Sequence, residues 1–93
     1  MEIEARRLIA RFKEQMITDL QEMERVIREG DAASLVTVAH RVKGVAANLS
    51  ISAIQENALC LELMGKNANL AGAEEKLAAI RELEKRVSEH DLT

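Results

Sequence analysis

Apolar residues recur every three or four positions along four stretches of the chain, and glycines or short polar runs separate those stretches. In the first, from about Glu4 to Arg28, Leu8, Phe12, Met16, Leu20, Met23 and Ile27 form one stripe. Gly30 is placed to end this helix as a C-terminal cap, and Asp31 to begin the next as an N-cap. The second helix runs from about Ala32 to Leu49, with Leu35, Val38, Val42, Val45 and Leu49 facing the core. After a break at Ser50-Ile51, Ser52 and Gln55 have the spacing of a capping box for a third helix. That helix carries Ile54, Ala58, Leu61 and Met64 inward and stops near Gly65. A polar link from Lys66 to Asn69 follows, with Asn67 or Asn69 able to cap a last helix. Ala73, Leu77, Ile80, Leu83 and Val87 form the stripe of that helix, out to about Glu89.

Short connections make consecutive helices antiparallel neighbours. The pattern therefore predicts an all-α, up-down-up-down four-helix bundle, a single domain over residues 1–93. No internal repeat or interdomain linker is visible.

Composition agrees with this reading. The chain has no Pro, Trp or Tyr, and Phe12 is its one aromatic residue. Ala, Leu, Glu, Lys, Arg and Gln, all strong helix formers, dominate instead. Hydrophobic residues make up 47%, enough for one modest core in 93 residues. The net charge of -3, with both signs interspersed, argues against nucleic acid, which wants a basic stripe. Arg6-Arg7 and Lys85-Arg86 sit among acids and read as solvated surface. No apolar run approaches the roughly 20 residues that span a bilayer. The acidic start Met1-Glu2-Ile3-Glu4 is unlike a signal peptide. Cys60, between Leu59 and Leu61, reads as a buried small hydrophobe. The expected location is the cytoplasm.

The second helix carries the candidate chemistry. At about 100° per residue, His40 falls roughly opposite the core stripe. Lys43 lies one turn later on the same side, and Val36 one turn before. Gly44 and Ala47 also fall on or beside this face. A glycine inside a helix costs roughly 1 kcal/mol relative to Ala, which makes sense where something must approach the backbone closely. Low neighbours leave the imidazole standing clear for another protein's active site. A neutral imidazole can attack a phosphoryl group through a ring nitrogen. A lysine one turn away can offset the charge of the product. The other ring nitrogen needs an acceptor, and Glu62, on the flank of the third helix, is the candidate. On these residues alone, His40 is either such a phosphoacceptor or ordinary surface decoration. Glu62 alone reads as a solvated acid, and His90 is given no role.

The segment Ala39-His40-Arg41-Val42-Lys43-Gly44-Val45-Ala46-Ala47-Asn48-Leu49 resembles the signature of histidine-containing phosphotransfer (HPt) domains. That pattern reads His-x-hydrophobic-Lys-Gly, then small residues, a hydrophobic residue and usually Gly. Gly30-Asp31 upstream and Ser52 to Met64 downstream extend the similarity to nearly the whole chain. The resemblance implies a monomeric or tethered four-helix bundle in multistep two-component signalling, a phosphocarrier rather than an enzyme. It implies His40 as the phosphorylated residue, Lys43 beside the phosphoryl group, Gly44 leaving room for the partner, and Glu62 where the family places a Gln or Glu bonded to the histidine. Implied partners are response-regulator receiver domains or a hybrid histidine kinase. The receiver would supply the aspartate and the magnesium ion, so no cofactor or metal of its own is expected here. Val36, Arg41, Gly44, Ala47, Gln55 and Leu59 are the expected partner-binding residues, with Leu63 and Lys66 on the same flank; Leu59 and Leu63 could instead pack under the first helix. Two positions depart from the pattern: Ser50 where the family usually has Gly, and Val45 where many members have Ser or Ala.

Two other readings fit less well. The phosphoacceptor domain of a histidine kinase usually has an acid directly after the His and a Pro soon after; Arg41 follows here, and the chain has no Pro. A helical adaptor without phosphotransfer would use the same surface only for docking.

Overall fold

In a computed structural model, residues 2–87 are described, with side chains from Arg7 onward. They form four helices: α1 (Glu2–Glu29), α2 (Ala32–Asn48), α3 (Ser52–Lys66) and α4 (Ala73–Arg86). At 1.5 Å per residue, α1 alone spans roughly 42 Å. That matches the long axis of the molecule, 43 Å against 19 and 18 Å across.

Neighbouring helices run in opposite directions. Arg41 of α2 meets Asp19 and Glu22 of α1, while Val45 and Leu49 lie in a groove with Leu8 and Phe12. Val36 faces Gly65 of α3, and His40, one turn on, faces Glu62. Lys13 of α1 donates to the Glu84 carbonyl at 3.0 Å, and Arg81 pairs with Glu24. The fold is the expected four-helix bundle.

Three helices end in the same way. After α1, the Asp31 N–H donates to the Val26 carbonyl at 2.9 Å and the Gly30 N–H to Ile27 at 3.1 Å. This double closure needs a left-handed residue, which Gly30 supplies at φ +70°. The same pair of bonds closes α2, with Ser50 at φ 57°, and α3, with Ala68 at φ 52°. Ser50, the departure noted in the sequence, thus occupies a left-handed position that glycine adopts without steric cost. Asp31 caps α2 as predicted, accepting from the Ser34 N–H at 3.1 Å.

Other local expectations are corrected. The N-cap of α3 is Ile51, with no side-chain cap bond, and Ser52 is the first helical residue. Gly72 (φ 85°) caps α4, while Asn69 accepts from the Ala71 N–H within the link. The α4 helix ends at Arg86, short of Glu89.

The core is built from Phe12, Met16, Leu20, Met23, Val26, Leu35, Val38, Val42, Ile54, Leu61, Leu77 and Ile80, among others. On α2 it is shifted from the stripe predicted: Ala39 and Ala46 are buried, whereas Val45 and Leu49 pack at its margin. Met64 and Leu83 are likewise marginal. Leu8 is 55% exposed. The α3 helix ends at Lys66, next to Gly65 as expected, and Gly65 itself lies buried in the last turn. A Cβ there would come within 2.7 Å of Val36 Cγ2 and 2.8 Å of the Ala32 carbonyl oxygen. Its bare backbone lets α3 lie directly against α2.

Two substitutions with glycine test these contexts in opposite senses. Gly65→Ala forces the α2 backbone away and is expected to cost about 1–3 kcal/mol. Ser50→Gly relieves a left-handed L-residue and is expected to add about 0.5 kcal/mol. Urea denaturation of both variants measures the two shifts.

Candidate functional site

The close seam between α2 and α3 sets the geometry of the site. Val38, Ala39 and Val42 turn into the core, which leaves His40 pointing out, its side chain 69% exposed. Across the seam, Glu62 sits among the buried residues of α3, its side chain only 5% exposed. Three basic groups converge on its carboxylate. His40 Nδ1 is 3.3 Å from Oε2, Lys43 Nζ 2.7 Å from Oε1, and Lys66 Nζ, one turn along α3, 3.4 Å from Oε2. The Lys43 contact is a close ion pair rather than an aligned hydrogen bond, since Oε1 has no partner of hydrogen-bond geometry.

Burial alone would favour the protonated acid. The Lys43 contact outweighs it, and with help from Lys66 and His40 holds the carboxyl down to about 2. Glu62 is therefore ionised and can only accept hydrogen bonds. The proton of a neutral His40 ring then belongs on Nδ1, facing Glu62, and Nε2 keeps its lone pair toward solvent.

The other sequence candidates divide. Gly44 and Ala47 are exposed, and a Cβ at Gly44 would meet nothing within 4 Å, so no packing inside the bundle demands glycine there. Gln55 is half-buried and Leu59 is exposed; with Lys43, Ser52 and Glu56 they line a shallow groove. Leu63 is exposed too.

Contacts between helices and burial change the picture at four residues. Val36 is half-buried against Gly65, because α3 comes close enough there to cover it. Arg41 is not held free on the docking face. Its Nε donates to Asp19 Oδ1 at 3.0 Å and its Nη2 to Glu22 Oε2 at 2.6 Å, drawn to α1 by a fully buried carboxylate. The Lys43 head group is engaged by Glu62 rather than freely solvated. Cys60 is half-buried rather than buried. His90 lies outside the described residues.

Asp19 was not singled out in the sequence, although an acid three residues after Met16 and four before Met23 stands at a core-facing position. It also accepts from Gln15 Nε2 at 3.0 Å. Lys66 lies beside Glu62 on the helical wheel, and that spacing of four residues is the readable sign of the pair they form. Among the described residues, no group of three or more His, Cys, Asp or Glu side chains could hold a metal ion. Nor is any described helix long and apolar enough to cross a membrane.

A comparison with protein-family models matches the Hpt domain over residues 7–90. The chain belongs to the Hpt domain family. Comparisons with curated proteins and with solved structures gave no match. Membership implies phosphotransfer in a two-component phosphorelay, with response-regulator receivers or kinases as interaction partners. Hpt domains are generally phosphocarriers rather than enzymes. The matched span includes the whole His40–Glu62 site of this Hpt domain.

Glu62 also leaves a pH signature in the Hpt bundle. Its carboxyl is held below the unfolded value of 4.5, so its stabilisation is complete above that pH. It is lost as pH falls from about 4.5 towards 2. Glu62→Gln should flatten this part of the stability curve, measured as urea midpoints at pH 5 and pH 3.

Proposed function

We propose that this Hpt domain carries a phosphoryl group on His40 Nε2 between the aspartates of receiver domains. One observation carries the proposal: an exposed imidazole has one nitrogen at a buried, ionised carboxylate and the other facing solvent.

The chemistry balances without a group from outside the two proteins' sites. The Nε2 lone pair attacks the phosphorus of an aspartyl phosphate. A P–N bond forms, the P–O bond to the aspartate breaks, and the aspartate leaves as a carboxylate. The ring proton stays on Nδ1, where Glu62 accepts its hydrogen bond and stabilises the positive charge the ring gains. The transfer to the next aspartate runs these steps in reverse. Lys43, one turn from His40, offsets phosphoryl charge as a cation. The exposed Gly44 and Ala47 leave space for a receiver's active site, and the groove with Gln55 and Leu59 extends the docking face. We assign the magnesium ion to the receiver.

The test is incubation with a phosphorylated receiver domain. The expected product is an acid-labile, base-stable label on this chain that disappears in His40→Gln. A label that survives His40→Gln, or no label from any receiver of the host, overturns the proposal. The second outcome would favour a docking module. Lys43→Ala is expected to slow transfer about tenfold, the scale of one charge-assisted contact. Circular dichroism of that variant should still report a folded helical bundle.

A further inference from the structure

Glu62 brings a difficulty to a phosphoryl carrier. Its ionised carboxylate stands 3.3 Å from the ring that would bear the phosphoryl group, so two negative groups would flank one imidazole. Lys43, one turn from His40 on α2, is the cation placed to serve that group, but at 2.7 Å it is already committed to Glu62 Oε1. A buried carboxylate that loses its only counter-ion is strongly disfavoured. With one lysine, the site would have to leave either Glu62 or the phosphoryl group uncompensated.

The site has two lysines. Lys66 Nζ lies 3.4 Å from the other Glu62 oxygen, on the same helix one turn away, its side chain 56% exposed. His40, Lys43 and Lys66 are the basic groups that face this carboxylate, from α2 and from α3 itself. We propose that Lys66 is a positioning residue: it is the standing counter-ion of Glu62 and thereby frees Lys43 to turn to the phosphoryl group on His40.

This inference rests on His40 being the phosphoacceptor, yet it assigns Lys66 a role that transfer activity alone would not reveal. It concerns the charge the phosphoryl group feels. A less compensated phosphoryl group holds its last proton more tightly. The ³¹P shift of phosphohistidine against pH reads that proton directly.

Phosphoramidate is the probe: its P–N bond breaks, ammonia leaves, and the phosphoryl group passes to the imidazole of the intact chain. In Lys66→Ala the ³¹P midpoint should rise by about 0.3–0.7 pH units, a two- to fivefold change of the scale set by a partly exposed ion pair. Lys66→Arg should restore the wild-type midpoint. In a Glu62→Gln background, Lys66→Ala should have little effect, because a neutral amide needs no counter-ion. A purely structural role for Lys66 would not produce this dependence on the charge at position 62. An unchanged midpoint in Lys66→Ala, or an equal shift in both backgrounds, overturns the inference while leaving His40 as carrier. A label absent from wild type, or one retained in His40→Gln, instead overturns the phosphocarrier reading, and this inference with it. A ¹³C titration of the Glu62 carboxyl in the unphosphorylated chain adds a check that needs no phosphate. Its midpoint should rise above about 2 in Lys66→Ala, and an unmoved midpoint counts against the inference.

Discussion

The Glu62 carboxylate is buried by the packing of α3 on α2 and kept ionised by three basic groups at its rim. Either condition alone would give a different site. A buried acid without cations would take up a proton and could then donate to His40 rather than accept from it. An exposed acid would pair weakly, screened by water and salt. Burial with compensation gives a fixed acceptor on a rigid helix, and a fixed acceptor decides which nitrogen of the imidazole carries the proton. The nucleophile we propose, Nε2, would thus depend on packing on the far side of the ring.

The packing that makes this possible is itself a matter of one residue. Gly65 lies one turn from Glu62 and lets the α3 backbone sit against Ala32 and Val36. A side chain there would widen the seam and lengthen every contact across it, those to His40 and Lys43 included. On the opposite flank of α2, Arg41 is tied to Asp19 and Glu22 of α1. The helix that carries His40 is therefore anchored by charge on both sides of its outward face. Between these anchors, His40 stands beside Gly44 and Ala47 with little to obstruct an approaching protein.

Much of this was legible in the chain, because helical periodicity is a local property. The spacing of Val38 and Val42 turns His40 outward whatever else the bundle does, and Gly30-Asp31 marks a boundary with its own backbone chemistry. Glu62 could be placed on the correct flank by the same geometry, but its burial could not be read. That depends on how close α3 comes, which the single atom missing from Gly65 decides. The contacts of Val36 with Gly65 and of Arg41 with Asp19 and Glu22 were not legible for related reasons. Each residue faces a neighbouring helix, and a wheel drawn for one helix contains no information about the next. The capping of α3 and α4 by Ile51 and Gly72 reflects backbone angles in the links, where side-chain capping motifs lost to local geometry.

In this site Glu62 should fix His40 as the Nδ1-protonated ring with Nε2 open. Long-range ¹H–¹⁵N correlation of the His40 imidazole, at a pH where the ring is neutral, measures this directly. An Nδ1–H tautomer is expected in the wild-type protein, with Nε2 at the shift of an unprotonated nitrogen, and a mixture of tautomers in Glu62→Ala. A dominant Nε2–H tautomer in the wild type, or no change on removing Glu62, would contradict it.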